Sequence, residues 1–248
     1  MKSKLIRNCK KLIEAYENGD LGQTKMPEDS SPDFSAKQRE MKLAYFTLPM
    51  ALNYQRDSYK LWESALKTWE DEETRKVFNV TLVSKMSDDE LRKKLLKYKV
   101  ALLPNKHIAT WKTIAQTINK EWGSFSNFIK ETKDDFLILK DFVQNKYKKQ
   151  FPYISGPKIF NYWSFILSEY GDVLMKNKEY IEIAPDTHIT QCSVLLRVIT
   201  KEEAVRLSKD EISERWRKLL KDSGITPIGM HAPLWFWSRN GFTYKLRK

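Results

Sequence analysis

The sequence has few residues that bind metals or form cross-links. Its 248 residues include two cysteines, Cys9 and Cys192, and three histidines. Two isolated cysteines cannot supply the four thiolates of an iron–sulfur cluster or of a cysteine-rich zinc site. We therefore expect no metal site and no cofactor.

Long apolar runs are also missing. No run approaches the roughly 18 residues that a membrane-spanning helix needs, and the charged start, MKSKLIRNCKKLIEAYENGD, has no signal-peptide stretch. These absences predict a cytoplasmic protein without a membrane partner. The excess of 44 Lys and Arg over 32 Asp and Glu, a net charge of +12, favours a nucleic-acid partner, with an acidic membrane surface or plain solubility as alternatives.

Alternation of period two, which is typical of strands, is nearly absent, and only YIEIA at 180–184 could form a short extended segment. Helix-start signals with capping-box spacing recur along the chain. They fall at Ser35–Gln38, Ser87–Glu90, Thr200–Glu203 and Ser208–Glu211, with a looser version at Thr132–Asp135. Gly224 stands where a C-terminal cap would end the last of these helices. This pattern predicts an all-α protein.

The stretch SGPKIF predicts a helix that begins near Pro157, because proline is favourable at a first helical position. Lys158 then falls in the first turn, where the helix dipole disfavours a cation. A lysine whose ammonium form is disfavoured can serve as a nucleophilic amine. The alternatives are that Lys158 points into solvent or binds a phosphate.

A second turn, APDTHI, places Asp186 where an extended segment meets the next helix. Asp accepts hydrogen bonds from the free N–H groups of a first helical turn, so capping is the simplest interpretation. A carboxylate at this place could also be the partner of a reactive group.

The two stretches together resemble the helix-hairpin-helix DNA glycosylases, in which a Gly-x-Lys turn opens one helix and a VDTHV-like turn opens a later one. The separation of 28 residues between the lysine and the aspartate is similar to that of the archaeal 8-oxoguanine glycosylase branch. LPMALNYQRDSYKLWESAL at 48–66 and ITPIGMHAPLWFWSR at 225–239 also resemble segments of that branch.

The resemblance implies two helical subdomains with a cleft between them, formed by residues 1–60 plus 187–248 and by residues 61–186. It implies a catalytic role for Lys158 as the nucleophile and for Asp186 as its partner. The other implied site residues line the pocket for a flipped base (Trp62, Tyr162, Trp235 and His231, with the two tryptophans stacking on it) or contact the DNA backbone (Lys148, Lys149 and Gly156).

The implied function is base-excision repair by a monomer on double-stranded DNA with a damaged base, such as 8-oxoguanine, in the cytoplasm at the nucleoid. The enzyme would cleave the glycosidic bond and then nick the strand through a Schiff base. His231 stands near an acidic pocket position of the branch, so a glycosylase for a different lesion is an alternative, as is an abasic-site lyase with little base removal. Two further alternatives are a helix-hairpin-helix protein that only binds DNA and a basic RNA-binding helical module. The resemblance assigns no role to the loop at 17–34.

Overall fold

A computed structural model describes residues 2–22 and 24–246. Regular structure in these residues is helical, with a single isolated β-bridge between Asp135 and Lys176, so the prediction of an all-α protein is confirmed. The α-helices are α1 (Lys2–Glu17), α2 (Arg39–Thr47), α3 (Ser58–Glu70), α4 (Glu72–Arg75), α5 (Val80–Lys85), α6 (Asp88–Lys97), α7 (Lys106–Glu121), α8 (Phe125–Glu131), α9 (Phe136–Asp141), α10 (Pro157–Glu169), α11 (Thr187–Leu195), α12 (Lys201–Arg206), α13 (Lys209–Leu220) and α14 (His231–Arg239).

Shorter helical turns connect these helices. Most are 3-10 turns, and the segment Phe142–Lys146 is a π-helical turn that leads towards the residues before α10. The 3-10 turns are Pro27–Ser30, Ala36–Gln38, Met50–Leu52, Lys76–Phe78, Lys178–Tyr180 and Ile228–Met230.

Several predicted helix starts are confirmed by their hydrogen bonds. At the start of α13, the Glu211 N–H donates to Ser208 Oγ over 3.3 Å and the Ser208 N–H donates to Glu211 Oε2 over 2.7 Å. The equivalent bonds at Thr200 begin α12. At Ser87 the side chain accepts from the Glu90 N–H over 3.1 Å and begins α6. These bonds join residues three apart, which is why their spacing was readable in the sequence.

Two local predictions were wrong. Thr132 ends α8 and does not begin a helix, because its hydroxyl donates to Ile129 O over 2.7 Å, and Asp135 caps α9 instead. The α13 helix has its C-terminal cap at Lys221, three residues before Gly224. Of the segment 180–184, for which a short extended conformation was predicted, Tyr180 ends a 3-10 turn and residues 181–184 belong to neither a helix nor a strand.

The described chain divides into two compact units. Unit 1 is 1–26 plus 178–248, and unit 2 is the continuous stretch 27–177. The boundaries differ from the predicted ones because residues 27–60 pack with the middle of the chain and residues 178–186 pack with its last helices. Lys158 therefore belongs to unit 2 and Asp186 to unit 1.

Aromatic side chains dominate the core of unit 2. Trp62 lies 5.6 Å from the ring of Tyr45 and 5.7 Å from the ring of Phe46, measured between centroids. The buried indole N–H of Trp163 on α10 donates to Thr47 Oγ1 on α2 over 3.1 Å. Packed aromatic pairs of this kind contribute beyond the area that they bury, so α2, α3 and α10 are held in fixed positions around this core.

The core of unit 1 joins helices that are far apart in sequence. The Trp216 indole N–H of α13 donates to Ser193 Oγ of α11 over 2.8 Å, and both side chains are buried. The ring of Tyr16 on α1 stacks on Phe236 of α14 with centroids 5.9 Å apart. These contacts place α11, which Asp186 precedes, firmly within the unit.

Candidate functional site

The N-terminal end of α10 carries Lys158 on an open turn. Gly156 is the residue before the helix, Pro157 is its first residue as predicted, and no described side chain caps this end. The Gly156 N–H donates to Tyr153 O over 3.1 Å, so the turn uses this amide itself. The first-turn N–H groups of an uncapped helix remain directed outwards and attract anions such as phosphate.

The Lys158 side chain is exposed. Within unit 2 it forms no ion pair or hydrogen bond with a described residue. Tyr162 follows it by four residues, and so lies on the same face of α10 one turn further along. A lysine without a carboxylate partner in its unit is accessible to a ligand from solvent.

Lys148 and Lys149 lie in the turn between the π-helical segment and α10, and both are exposed. The turn is anchored beside them because Tyr147 packs edge-on against Trp122, with ring centroids 4.9 Å apart. The two lysines are thus presented to solvent from a fixed backbone, as a contact with DNA phosphates requires. That contact itself stays a prediction.

Trp62 was expected to offer a ring face to a flipped base, and in this structure it does not. Its side chain is only 1 % exposed. The indole N–H donates to Glu28 Oε1 over 2.7 Å, and the ring packs among the core aromatics. A base could reach Trp62 only after covering residues have moved.

Glu28 is the site residue that the sequence did not reveal. It lies in the 3-10 turn Pro27–Ser30 with its side chain fully buried, and the Tyr162 hydroxyl lies 3.1 Å from each of its carboxyl oxygens. Burial raises the pKa of Glu28 from 4.5 to about 7, although hydrogen bonds from Tyr162 and Trp62 oppose the rise. Unit 2 therefore brings together two of the predicted pocket residues around an unexpected carboxyl group.

In unit 1, Asp186 is the N-cap of α11, which confirms the simplest interpretation of its turn. One carboxylate oxygen, Oδ1, accepts from the Ile189 N–H over 2.9 Å. Oδ2 accepts no hydrogen bond from a described residue of the same unit. Burial, followed by the charge of Asp186, raises the pKa of the Cys192 thiol to about 12. Asp186 therefore caps the helix through Oδ1 alone.

Trp235 is the pocket residue with the most open surroundings in unit 1. It is half-buried on α14, with the guanidinium of Arg239 lying 4.7 Å from its ring centroid. His188 packs edge-on against the same ring at 5.7 Å and its Nδ1 lies 3.0 Å from Ser238 Oγ. Arg239 and His188 therefore both contact the ring on which a base was expected to stack.

His231 was expected to line the base pocket, but the structure places it in the core. It is the first residue of α14 and its side chain is 8 % exposed. The reason is local: the neighbouring residues Ala232, Pro233 and Leu234 are all buried, so the start of this helix is inside the unit.

Among residues 2–22 and 24–246, no group of three or more His, Cys, Asp or Glu side chains could hold a metal ion. In the same residues no helix is both long and apolar enough to cross a membrane. Compared with known proteins, the sequence matches no protein-family model and shows no significant similarity to a curated protein.

Proposed function

We propose that the protein is a DNA glycosylase with abasic-site lyase activity, with Lys158 as the nucleophile. The observation that carries the proposal is the position of this lysine, exposed in the first turn of an uncapped helix. An amine at that place can reach a nucleotide whose phosphates bind the N–H groups of the same turn. The net charge of +12 favours such a substrate.

The reaction starts with a nucleotide flipped out of the duplex, because a base within the stack cannot be attacked. The free amine of Lys158 attacks the anomeric carbon of the sugar. The glycosidic bond breaks, and the base leaves with the bonding electrons and takes up a proton. The lysine nitrogen gives up one proton to a base, and its lone pair then forms the C=N bond as the C1′–O4′ bond breaks and O4′ takes up a proton, which leaves a protonated Schiff base on the opened sugar. Elimination of the 3′ phosphate nicks the strand, and hydrolysis of the imine returns the amine.

Asp186 supports this chemistry through its second oxygen. In this role a carboxylate takes up the proton that the lysine nitrogen gives up after the attack and stabilises positive charge on the sugar. Because Oδ1 is held by the Ile189 N–H, the orientation of the carboxylate is fixed by α11. The proposed substrate is double-stranded DNA with an oxidised purine such as 8-oxoguanine, and these steps need no metal or cofactor.

Borohydride trapping tests the proposal, because borohydride reduces a Schiff base to a stable crosslink between protein and DNA. We expect the wild type to crosslink and nick a duplex with an abasic site or 8-oxoguanine. Lys158→Gln should lose both reactions while its affinity for the duplex stays within a few-fold. Lys201→Gln is a matched control, because Lys201 is also exposed in the first turn of a helix.

The outcomes separate the proposal from its alternatives. If only the duplex with an abasic site is crosslinked, the protein is an abasic-site lyase without glycosylase activity. If a duplex with a different damaged base is crosslinked, the protein is a glycosylase for that lesion. If the wild type forms no crosslink with any of these duplexes and Lys158→Gln only weakens binding, the protein is a DNA-binding module in which Lys158 holds a phosphate.

A further inference from the structure

The turn Pro27–Ser30, here called the plug, inserts a carboxyl group between two helices of unit 2. Glu28 is 0 % exposed, and its Oε1 accepts from the Trp62 indole N–H over 2.7 Å. The same oxygen lies 3.1 Å from the Tyr162 hydroxyl, as does Oε2. Asp29, the next residue of the plug, also ties it to the end of α10, because the hydroxyl of Tyr170, the residue after that helix, donates to Asp29 Oδ1 over 2.8 Å.

The two residues that the plug joins, Trp62 and Tyr162, are the two base-pocket residues that the glycosylase resemblance implies within unit 2. Trp62 comes from α3 and Tyr162 from α10, and both direct their polar hydrogens at the Glu28 carboxyl. The chain itself thus occupies the place where a ligand would meet these groups. Without the plug, an indole N–H and a phenol O–H would be left facing the vacated place, and they would accept a ligand edge that carries hydrogen-bond acceptors.

Ionisation of Glu28 is costly in this position. A buried carboxylate needs compensation by charge or by several strong donors, and the donors here, a backbone N–H, the Tyr162 hydroxyl and the Trp62 indole, are all neutral. The ionisable groups that face it are also acids: Asp29 in the plug, Tyr162 from α10 and Tyr45 from α2. No ion pair with Glu28 occurs among the described residues. Burial raises the pKa of Glu28 to about 7, so the carboxyl group changes its charge near neutral pH.

We propose that the plug is a removable cover of the pocket formed by Trp62 and Tyr162, and that ionisation of Glu28 releases it. The carboxyl gives its proton to solvent, and the carboxylate then gains hydration by leaving the core. Below neutral pH the neutral acid stays bonded to both aromatic donors and the pocket is closed. The proposal rests on the proposed function for the identity of the pocket, whereas the movement of the plug can be measured without DNA.

Exchange of the indole N–H of Trp62 with solvent, followed by NMR at residue resolution, measures the release directly. A carboxyl with a pKa of about 7 when seated and 4.5 when exposed makes opening roughly 70-fold easier at pH 8 than at pH 5. We expect the Trp62 exchange rate, divided by the rate of a free indole N–H at the same pH, to rise by between 10- and 100-fold over this range. The buried indole N–H of Trp111, which donates to Val77 O over 3.0 Å in the same unit, is the internal reference for unfolding and should exchange more slowly than that of Trp62 at every pH.

Two variants isolate the responsible group. Glu28→Gln cannot ionise, so the ratio of its Trp62 exchange rate to that of a free indole N–H should stay flat with pH. Asp29→Asn keeps Glu28 ionisable and should retain most of the rise, with a smaller amplitude because the charge of Asp29 is the smallest of the causes that raise the pKa of Glu28. A flat ratio in the wild type, or the same rise in Glu28→Gln as in the wild type, would overturn the proposal. Should Glu28→Gln fold poorly, the wild type and Asp29→Asn still decide, because the Trp111 reference reports folding within the same sample.

Failure of the plug and failure of the proposed function give different results. If the exchange ratio rises with pH but no borohydride crosslink forms on any lesion, the plug is real and the glycosylase assignment is wrong. If crosslinks form and the ratio is flat, the enzyme works with a pocket that Glu28 does not close.

Discussion

Replacing Glu28 with glutamine should change how the free energy of unfolding depends on pH. The folded protein binds the Glu28 proton more tightly than the unfolded chain does, because the pKa is about 7 when the group is buried and 4.5 when it is exposed. The neutral acid therefore contributes its full stability below pH 4.5. That contribution declines as the pH rises and is lost once the pH has passed 7.

The structure sets the size of the effect. At about 1.4 kcal/mol for each pH unit between 4.5 and 7, the loss reaches about 3 kcal/mol. This is a large part of the 5–15 kcal/mol that typically stabilises a folded domain. Local release of the plug limits this loss of stability, because a carboxylate that has already left the core no longer destabilises the rest of the folded protein. About 3 kcal/mol is therefore the upper value.

Urea unfolding at pH 4.5 and pH 8 measures the effect as a difference between variant and wild type, so that contributions from other acids cancel. The amide of Glu28→Gln keeps an acceptor for the indole N–H and stays neutral at both pH values. The variant should gain between about 1 and 3 kcal/mol relative to the wild type on going from pH 4.5 to pH 8, whereas Asp29→Asn should gain almost none. A difference that is the same at both pH values would refute the buried titration of Glu28.

Further predictions concern the other site residues. Asp186→Asn should lower turnover on a lesion-bearing duplex by at least about 100-fold, with little loss of thermal stability because Asn also caps helices well. The control Asp57→Asn changes the N-cap of α3 in the same way and should leave turnover unchanged. Equal turnover in the two variants would show that Asp186 only caps its helix. Lys148→Gln with Lys149→Gln should lower the slope of log affinity against log salt by up to about 1.8, at about 0.9 for each lost phosphate contact. Lys130→Gln, on the exposed face of α8, should leave the slope closer to that of the wild type, and a slope unchanged in the double variant would remove the two lysines from the DNA contact.

Features fixed by neighbouring residues could be predicted from the sequence. The start of α10 at Pro157, the capping by Asp186 and the hydrogen bonds at Ser208 each depend on partners within three or four residues. A propensity or a spacing therefore identifies them, because the energetic reason is contained in a short window.

Features that depend on distant partners could not be predicted in this way. Glu28 meets one partner 34 residues along the chain and another 134 residues along it. No spacing rule links an acid in a loop to a tryptophan and a tyrosine at such distances. Trp62 and His231 were expected to line a base pocket because the resemblance to the glycosylases implies it, and only the packed structure shows that they are buried.

The division of the chain has a consequence for its synthesis. Unit 1 is made of two segments separated by the whole of unit 2, so α1 leaves the ribosome about 150 residues before the segment that completes its unit. At the usual 5–20 residues per second, this interval lasts roughly 8–30 s. Throughout it, the face of α1 that carries Cys9, Leu12 and Ala15 lacks the helices that bury it in the finished protein. The nascent chain therefore exposes an apolar helix face and the Cys9 thiol until α11, α13 and α14 emerge, and chaperones and oxidants can act on unit 1 during that period.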